Sequence, residues 1–389
     1  MAQAQPLLAG ARPTPQSRLL VMLLALVAAL VVGVVGYGWR QSALALVGVL
    51  FGISLYHASF GFASSYRQLL LRGDGRGVLA QVLMLSLATL LFAPLLIAGV
   101  GRGAVAPLAL QAVIGAFLFG IGMQLGSGCA CGTLYTIGGG SAMMVLTLVS
   151  FSGGSFAASL STEAWAVLPR LDPVSLLQRW GWAGAGLQLL VLAILALALW
   201  RWQRPRLAEE GFWPRTPGWR NLALGPWSLV GGAVSLALLN ALTVVLAGRP
   251  WGITRGFTLW AAKLATLLGW NPDTSPIWSQ GPFATALQAS LFADVTSVMN
   301  LGIVLGSATA AALAGRLSVR TPPSAAAWLA ALLGGLMMGY GAWLAFGCNV
   351  GAYFSGIAST SLHGWLWIAF ALLGTAVGVR LRPWFGLPS

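Results

Sequence analysis

Charge is what this chain has least of. Only 7% of its 389 residues are charged, against about a quarter in a soluble domain, and just seven are acidic. No apolar run holds two carboxylates, which excludes paired-acid hydrolysis, and no H-E-x-x-H, G-x-S-x-G or Walker loop occurs. The remaining polar material is too sparse for a globular catalytic domain. The chain reads as non-enzymatic, with no cofactor, and without an ATPase motif any transport is by a channel, a facilitator or a secondary transporter. Cysteine is scarce as well. Three in all cannot pair completely, Cys129 and Cys131 form a C-x-C poorly spaced for a mutual disulfide, and all three lie in apolar context, so a secreted disulfide framework is excluded.

Apolar residues fill the space. They make up 58% of the chain, with a mean hydropathy of +0.84, which is the composition of a polytopic membrane protein embedded in a lipid bilayer. Residues 19–38 form an uncharged run of the roughly 20 residues needed to cross a bilayer, too long for a signal-peptide core. The formal charge of +14 would suggest nucleic acid in a soluble protein. Here most arginines sit in short loops between apolar runs, as the positive-inside bias of a bacterial inner (plasma) membrane protein requires, and no nucleic-acid partner is expected.

Further spans are expected at residues 42–62, 77–100 (kinked at Pro94), 108–125, 142–160, 181–200, 226–247, 325–345 and 364–379. The proline-bearing arm of residues 1–17 reads as a disordered cytoplasmic tail, and the charge-balanced residues 161–180 as an outer loop. Four regions follow: residues 1–41, an arm and extra span; 42–200, a first repeat with a flanking span; 201–224, a basic cytoplasmic linker; and 225–389, a linking span and second repeat.

The repeats rest on an echo. FGIGMQLGSGCACG around Gly120 returns 219 residues later as MGYGAWLAFGCNVG, and seven of the eighteen positions from Gly115 to Gly132 agree without a gap. Matched glycines alone would be weak evidence, but Gly128-Cys129 with Gly132 and Gly347-Cys348 with Gly351 use two of only three cysteines. Glycine so dense between Gly115 and Gly140 argues against a straight lipid-facing helix, because freed backbone groups cannot face lipid. The expected architecture is all-α, with two inverted repeats whose broken, re-entrant helices surround a central pathway. Two apolar runs between the repeats, where inversion needs an odd number of crossings, leave one segment miscounted.

Duplication at two helix breaks sets Cys129 and Cys348 apart from ordinary small buried hydrophobes. A thiol is a soft, weak donor suited to a sulfur-bearing ligand. Cys131 has only Val350 as its counterpart; with Met123, Met143 and Met144 the C-x-C fits a soft ion such as Cu(I), yet the second motif lacks the His and Met pairs of a copper path. A half-helix after each break would aim N–H groups at an anion, with Tyr135 and Tyr353 as neutral donors beside it. Arg67 and Lys263 follow similar Gly-Phe pairs and either draw an anion inward or snorkel to the interface. Asp294 reads as a cap or structural partner before a proton-coupling site, and His57 and His363 as interfacial.

These breaks, together with PWGITRGFTLWAAKL, FADVTSVMNLGIVLGS and CNVGAYFSGIASTSLHGWLW, resemble the YeeE/YedE family of sulfur-related membrane proteins over about residues 45–385. The resemblance implies transport of thiosulfate or a similar small anion through a constriction, by transient S–H···S contacts with Cys129 and Cys348. Relatives tied to selenium metabolism keep a selenium compound open as cargo, and a non-transporting scaffold for a cytoplasmic sulfurtransferase is the rival class. A third family cysteine is expected where this chain has Gly61, in the stretch SFGFASSYR, with Cys131 as a candidate substitute.

Overall fold

The computed structural model describes residues 14–207, 211–213, 219–322 and 324–388. Ten helical stretches among them are long and apolar enough to cross a membrane, and the only named sheet is a two-residue pairing. The protein is an all-α polytopic membrane protein.

In order, the helices are α1 (Ser17–Gly33), α2 (Trp39–Ala58), α3 (Phe62–Arg72), α4 (Arg76–Ile97), α5 (Leu110–Leu125), α6 (Ala130–Gly138), α7 (Ala142–Leu160), α8 (Thr162–Ala166), α9 (Leu176–Trp180) and α10 (Trp182–Leu207). The rest are α11 (Trp219–Leu224), α12 (Leu229–Ala247), α13 (Thr254–Leu267), α14 (Pro276–Ser279), α15 (Gly281–Gln288), α16 (Val295–Leu313), α17 (Ala325–Leu344), α18 (Ser355–Ala358) and α19 (Leu362–Leu381). Side-chain oxygens cap several starts: Ser228 accepts from the Gly231 N–H, Asp294 from Ser297 and Ser324 from Ala327. Left-handed Gly73 and Gly248 end α3 and α12. In the α3–α4 turn Arg76 pairs with Asp74 at 2.8 Å, and this charge-assisted bond holds the Asp74 carboxyl below its ordinary range.

The strands β1 (Leu108–Ala109) and β2 (Arg170–Leu171) pair antiparallel, so α5 starts at the end of the bundle where α7 finishes. Ser361, which precedes α19, bridges Ser175 at that same end, whereas Ser141, which precedes α7, bridges Arg320 at the other. The packing interchanges the two halves of the chain. Helix α5 lies on α19 and α17 on α7; α2 lies on α16 and α4 on α12; α3 meets α19 where α13 meets α7.

At the centre α5 crosses α17. A Cβ on Gly115 would fall 2.6 Å from the Gly341 carbonyl oxygen, and one on Gly122 would fall 2.7 Å from that of Gly334. The four residues are two of the echoed pairs, so the echo records a close helix crossing. The helix does break at the Gly-Cys motif, between Leu125 and Ala130, but α5 runs unbroken through Gly115, Gly120 and Gly122, so these three glycines serve the crossing and not the break. Small residues there admit a neighbouring backbone rather than release their own.

Other expectations shift too. Helix α1 ends at Gly33 and a 3-10 turn at Val35–Tyr37 completes the first span, and the run expected to stop at residue 200 continues as α10 to Leu207, inside the basic linker. There the Gln203 Nε2 donates to the Gly73 carbonyl at 3.0 Å. The outer loop of residues 161–180 holds α8, β2 and α9. Of the expected disordered arm, residues 1–13 lie outside the described residues, but Gln16 exchanges side-chain bonds of 3.0 and 3.1 Å with the Leu317 backbone. His57, in the last turn of α2, and His363, in the first turn of α19, are buried at 4% and 3% exposure; His363 Nδ1 meets the Ser361 hydroxyl at 2.8 Å.

Candidate functional site: two thiol-bearing breaks

After α5 and after α17 the backbone follows the same path. Ser127 and Phe346 both take φ 58, a left-handed conformation unusual for a side-chain-bearing residue. Cys129 (φ −90, ψ −176) and Cys348 (φ −102, ψ −167) then extend the chain. Gly347, at φ 144, occupies a conformation that only glycine adopts readily. Beyond the cysteines the copies differ. The first continues as α6, the second as a wide π-helical turn, Asn349–Phe354, leading into α18. The π turn takes up one extra residue, so the equivalent residues Ser141 and Ser361, which start α7 and α19, are 220 apart where the cysteines are 219 apart.

All three cysteines are free and buried, with exposures of 1% or less. Cys129 and Cys131 bring their sulfurs to 3.3 Å, and Cys348 lies within electrostatic reach of both. Backbone N–H groups of Gly132 and Phe62 act on the Cys129 sulfur, those of Gly351 and Val350 on the Cys348 sulfur. Phe62 opens α3 and Ala130 opens α6, so two helix N-termini meet at Cys129. The glycines beside the thiols leave room. A Cβ on Gly351 would meet nothing within 4 Å, one on Gly132 only the Cys129 sulfur at 3.4 Å, and one on Gly128 the Met144 sulfur at 3.5 Å.

Aromatic and polar side chains surround this space. Tyr135 lies within reach of Cys129 and Cys131, and its hydroxyl is 3.6 Å from where a Cβ on Gly61 would stand. Tyr353 stacks on Trp367 with centroids 6.2 Å apart and meets the edge of Phe62. Arg67 donates to Gln124 Oε1 at 3.3 Å, below the first break, where Arg382 also donates to the Gln124 carbonyl and to the Ser127 hydroxyl. Lys263 and Asp294 are occupied elsewhere: Lys263 donates to the Leu287 and Ala289 carbonyls at 2.6 Å, and Asp294 caps α16 through Ser297.

A cavity of about 330 Å³ reaches Gly347, next to Cys348; Gln111, Thr162, Trp165, Arg255 and Trp343 are among its lining residues. Arg255 sits 4.8 Å over the Phe283 ring and donates to the Pro282 carbonyl at 3.3 Å. A larger cavity, of about 400 Å³, touches none of the cysteines. Sequence reasoning passed over Arg255, although it stands inside the quoted PWGITRGF stretch, and over Tyr66 and Gln124, for which no local pattern gives a signal.

A helical membrane protein with two matched breaks, each presenting a buried thiol, belongs among proteins that handle small solutes within the bilayer. A family model described as sulphur transport matches residues 57–377, and the chain belongs to that family, YeeE/YedE. It is a family of transporters, not enzymes. The chain is 30% identical over 338 residues to the thiosulfate transporter TsuA of Spirochaeta thermophila, which covers 85% of this chain and 95% of the relative. It is 26% identical over 363 residues to TsuA of Escherichia coli, covering 85% and 91% respectively. A third relative, the probable transporter YedE of Escherichia coli, is 32% identical over 165 residues, 42% of this chain and 40% of the relative.

Proposed function

We propose that the protein carries thiosulfate, or a closely related sulfur anion, across the bacterial inner membrane through a constriction between Cys129 and Cys348. The observation that carries this reading is the pairing of buried free thiols on two breaks of similar backbone geometry, with open space at Gly351 beside Cys348. Names of the relatives supply the anion.

The two halves act as inverted repeats in this reading. Interchanged packing supports it, as do the starts of α7 and α19 at opposite ends of the bundle. Taking α12 as the first helix of the second repeat leaves α10 as the single crossing between them, which removes the parity conflict in the sequence.

The anion collects in the cavity at Arg255 and reaches the Cys348 break past Gly347. Among the described residues no acidic or basic side chain hydrogen-bonds to the thiols, so backbone dipoles, converging at Cys129 from α3 and α6, hold the charge there. Thiols then make S–H···S contacts with the terminal sulfur, which an oxyanion such as sulfate cannot reciprocate. No covalent bond forms, and dipoles without a full counter-charge let the anion leave.

Vesicles holding only the purified protein test this with labelled thiosulfate against sulfate, sulfite and selenite. Saturable uptake that sulfate inhibits poorly is the expected result. Vesicles that accumulate nothing would instead favour a membrane scaffold for a sulfurtransferase.

A further inference from the structure

Two buried polar side chains beside the thiols have no hydrogen bond of acceptable geometry among the described residues. The Tyr66 hydroxyl, on a residue 1% exposed, and both amide atoms of Asn349, fully buried, are unpaired among the described residues. Tyr66 approaches Asn349 and Tyr353 without completing a bond of acceptable geometry, and it lies within electrostatic reach of Cys129. Buried polar atoms are nearly always satisfied, and one left alone requires an explanation. Packing supplies none here. Asn349 follows Cys348 directly, and the equivalent place after Cys129 holds Ala130, so the amide belongs to one break only.

We propose that Tyr66 and Asn349 bind the oxygen end of the transported anion, so that it crosses with its terminal sulfur on the thiols and its sulfonate oxygens on these two donors. The inference rests on the proposed transport of a sulfur oxyanion and adds its orientation. A tyrosine hydroxyl gives one donor and an asparagine amide two, which matches oxygens that only accept. Donors from different parts of the chain, α3 and the π turn, are brought together beside the thiols, while the first break supplies two sulfurs and no amide. The binding site is therefore lopsided although the breaks that build it are matched. Neutral donors add selectivity without a fixed positive charge to trap a dianion.

Full-length Tyr66→Phe and Asn349→Leu proteins in vesicles test the assignment. Each removes donors at nearly constant volume. Loss of a hydrogen bond to a charged group should raise the KM for thiosulfate about tenfold or more. Inhibition by thiocyanate, which offers sulfur but no oxygen, should keep its wild-type constant, and the detergent melting temperature should stay level or rise as unpaired atoms are removed. Unchanged KM in both variants, with wild-type uptake intact, overturns the inference and leaves the transport reading standing. A parallel loss of thiosulfate and thiocyanate binding together with a lower melting temperature also overturns it, since that is what a structural role produces. Wild-type protein that carries no sulfur anion defeats both.

Discussion

Gly351→Ala separates a passage from a packing contact. Gly351 follows Cys348 by three residues in the π turn, its N–H acts on the Cys348 sulfur, and a Cβ there would meet no atom within 4 Å. Alanine keeps the N–H, enters no forbidden backbone region, and gains up to ~1 kcal/mol of helical preference over glycine. Folding should therefore be unharmed or improved. If the empty space is the route, a methyl group narrows it, and a strain of ~1.4 kcal/mol in the passing anion lowers uptake about tenfold. The contrasting variant is Gly120→Ala, whose Cβ would run into the Ala371 carbonyl and stand 2.8 Å from the Thr375 nitrogen. That overpacking should cost ~1–3 kcal/mol and force α5 from α19. Melting in detergent and uptake in vesicles are read on both proteins. A Gly351→Ala protein that melts early like Gly120→Ala, or that transports at the wild-type rate, would refute the claim that the space beside Cys348 is the pathway.

Three further outcomes follow from the same geometry. On α7, Gly153→Ala should stabilise by up to ~1 kcal/mol because nothing lies within 4 Å, whereas neighbouring Gly154→Ala, which meets the Leu336 backbone, should destabilise by ~1–3 kcal/mol in the same unfolding assay. Arg255→Gln should raise the KM for uptake severalfold and flatten its salt dependence, with little change in maximal rate, because the guanidinium collects the anion ahead of the constriction. Gly61→Cys restores the thiol that the family resemblance leads one to expect. Gly61 is extended (φ −115, ψ 119) and its Cβ would meet only the movable Ser64 side chain closely, so the variant should fold normally and show accelerated thiosulfate uptake.

How much of this was legible in the chain depends on distance along it. Helix α7 coincides with its apolar run, residues 142–160, because a membrane helix is written in consecutive residues. The echo located both breaks, since the special backbone at Ser127 and Phe346 precedes Gly-Cys in each copy. The part played by its earlier glycines was not legible. Whether a glycine loosens its own helix or admits a neighbour depends on what stands opposite, and Gly341 opposite Gly115 is 226 residues away. The fading of the echo past Gly351 likewise has a cause that pattern alone cannot give, the single residue taken up by the π turn. Asn349 stands inside the second copy of the echo, but its meeting with Tyr66 carried no signal because it is made across the fold.

The most direct measurement compares Cys129→Ser and Cys348→Ser with wild type for thiosulfate uptake into vesicles, each protein's melting temperature being taken alongside. Serine keeps a donor of similar size but makes it hard and more strongly hydrated. A thiol facing a passage contributes little packing, so the change should cost far less than the ~2–5 kcal/mol of a large core truncation. The account expects near-wild-type melting and uptake reduced to background in both variants. Serine variants that carry thiosulfate at the wild-type rate would contradict it, leaving Cys129 and Cys348 as small residues that merely fit.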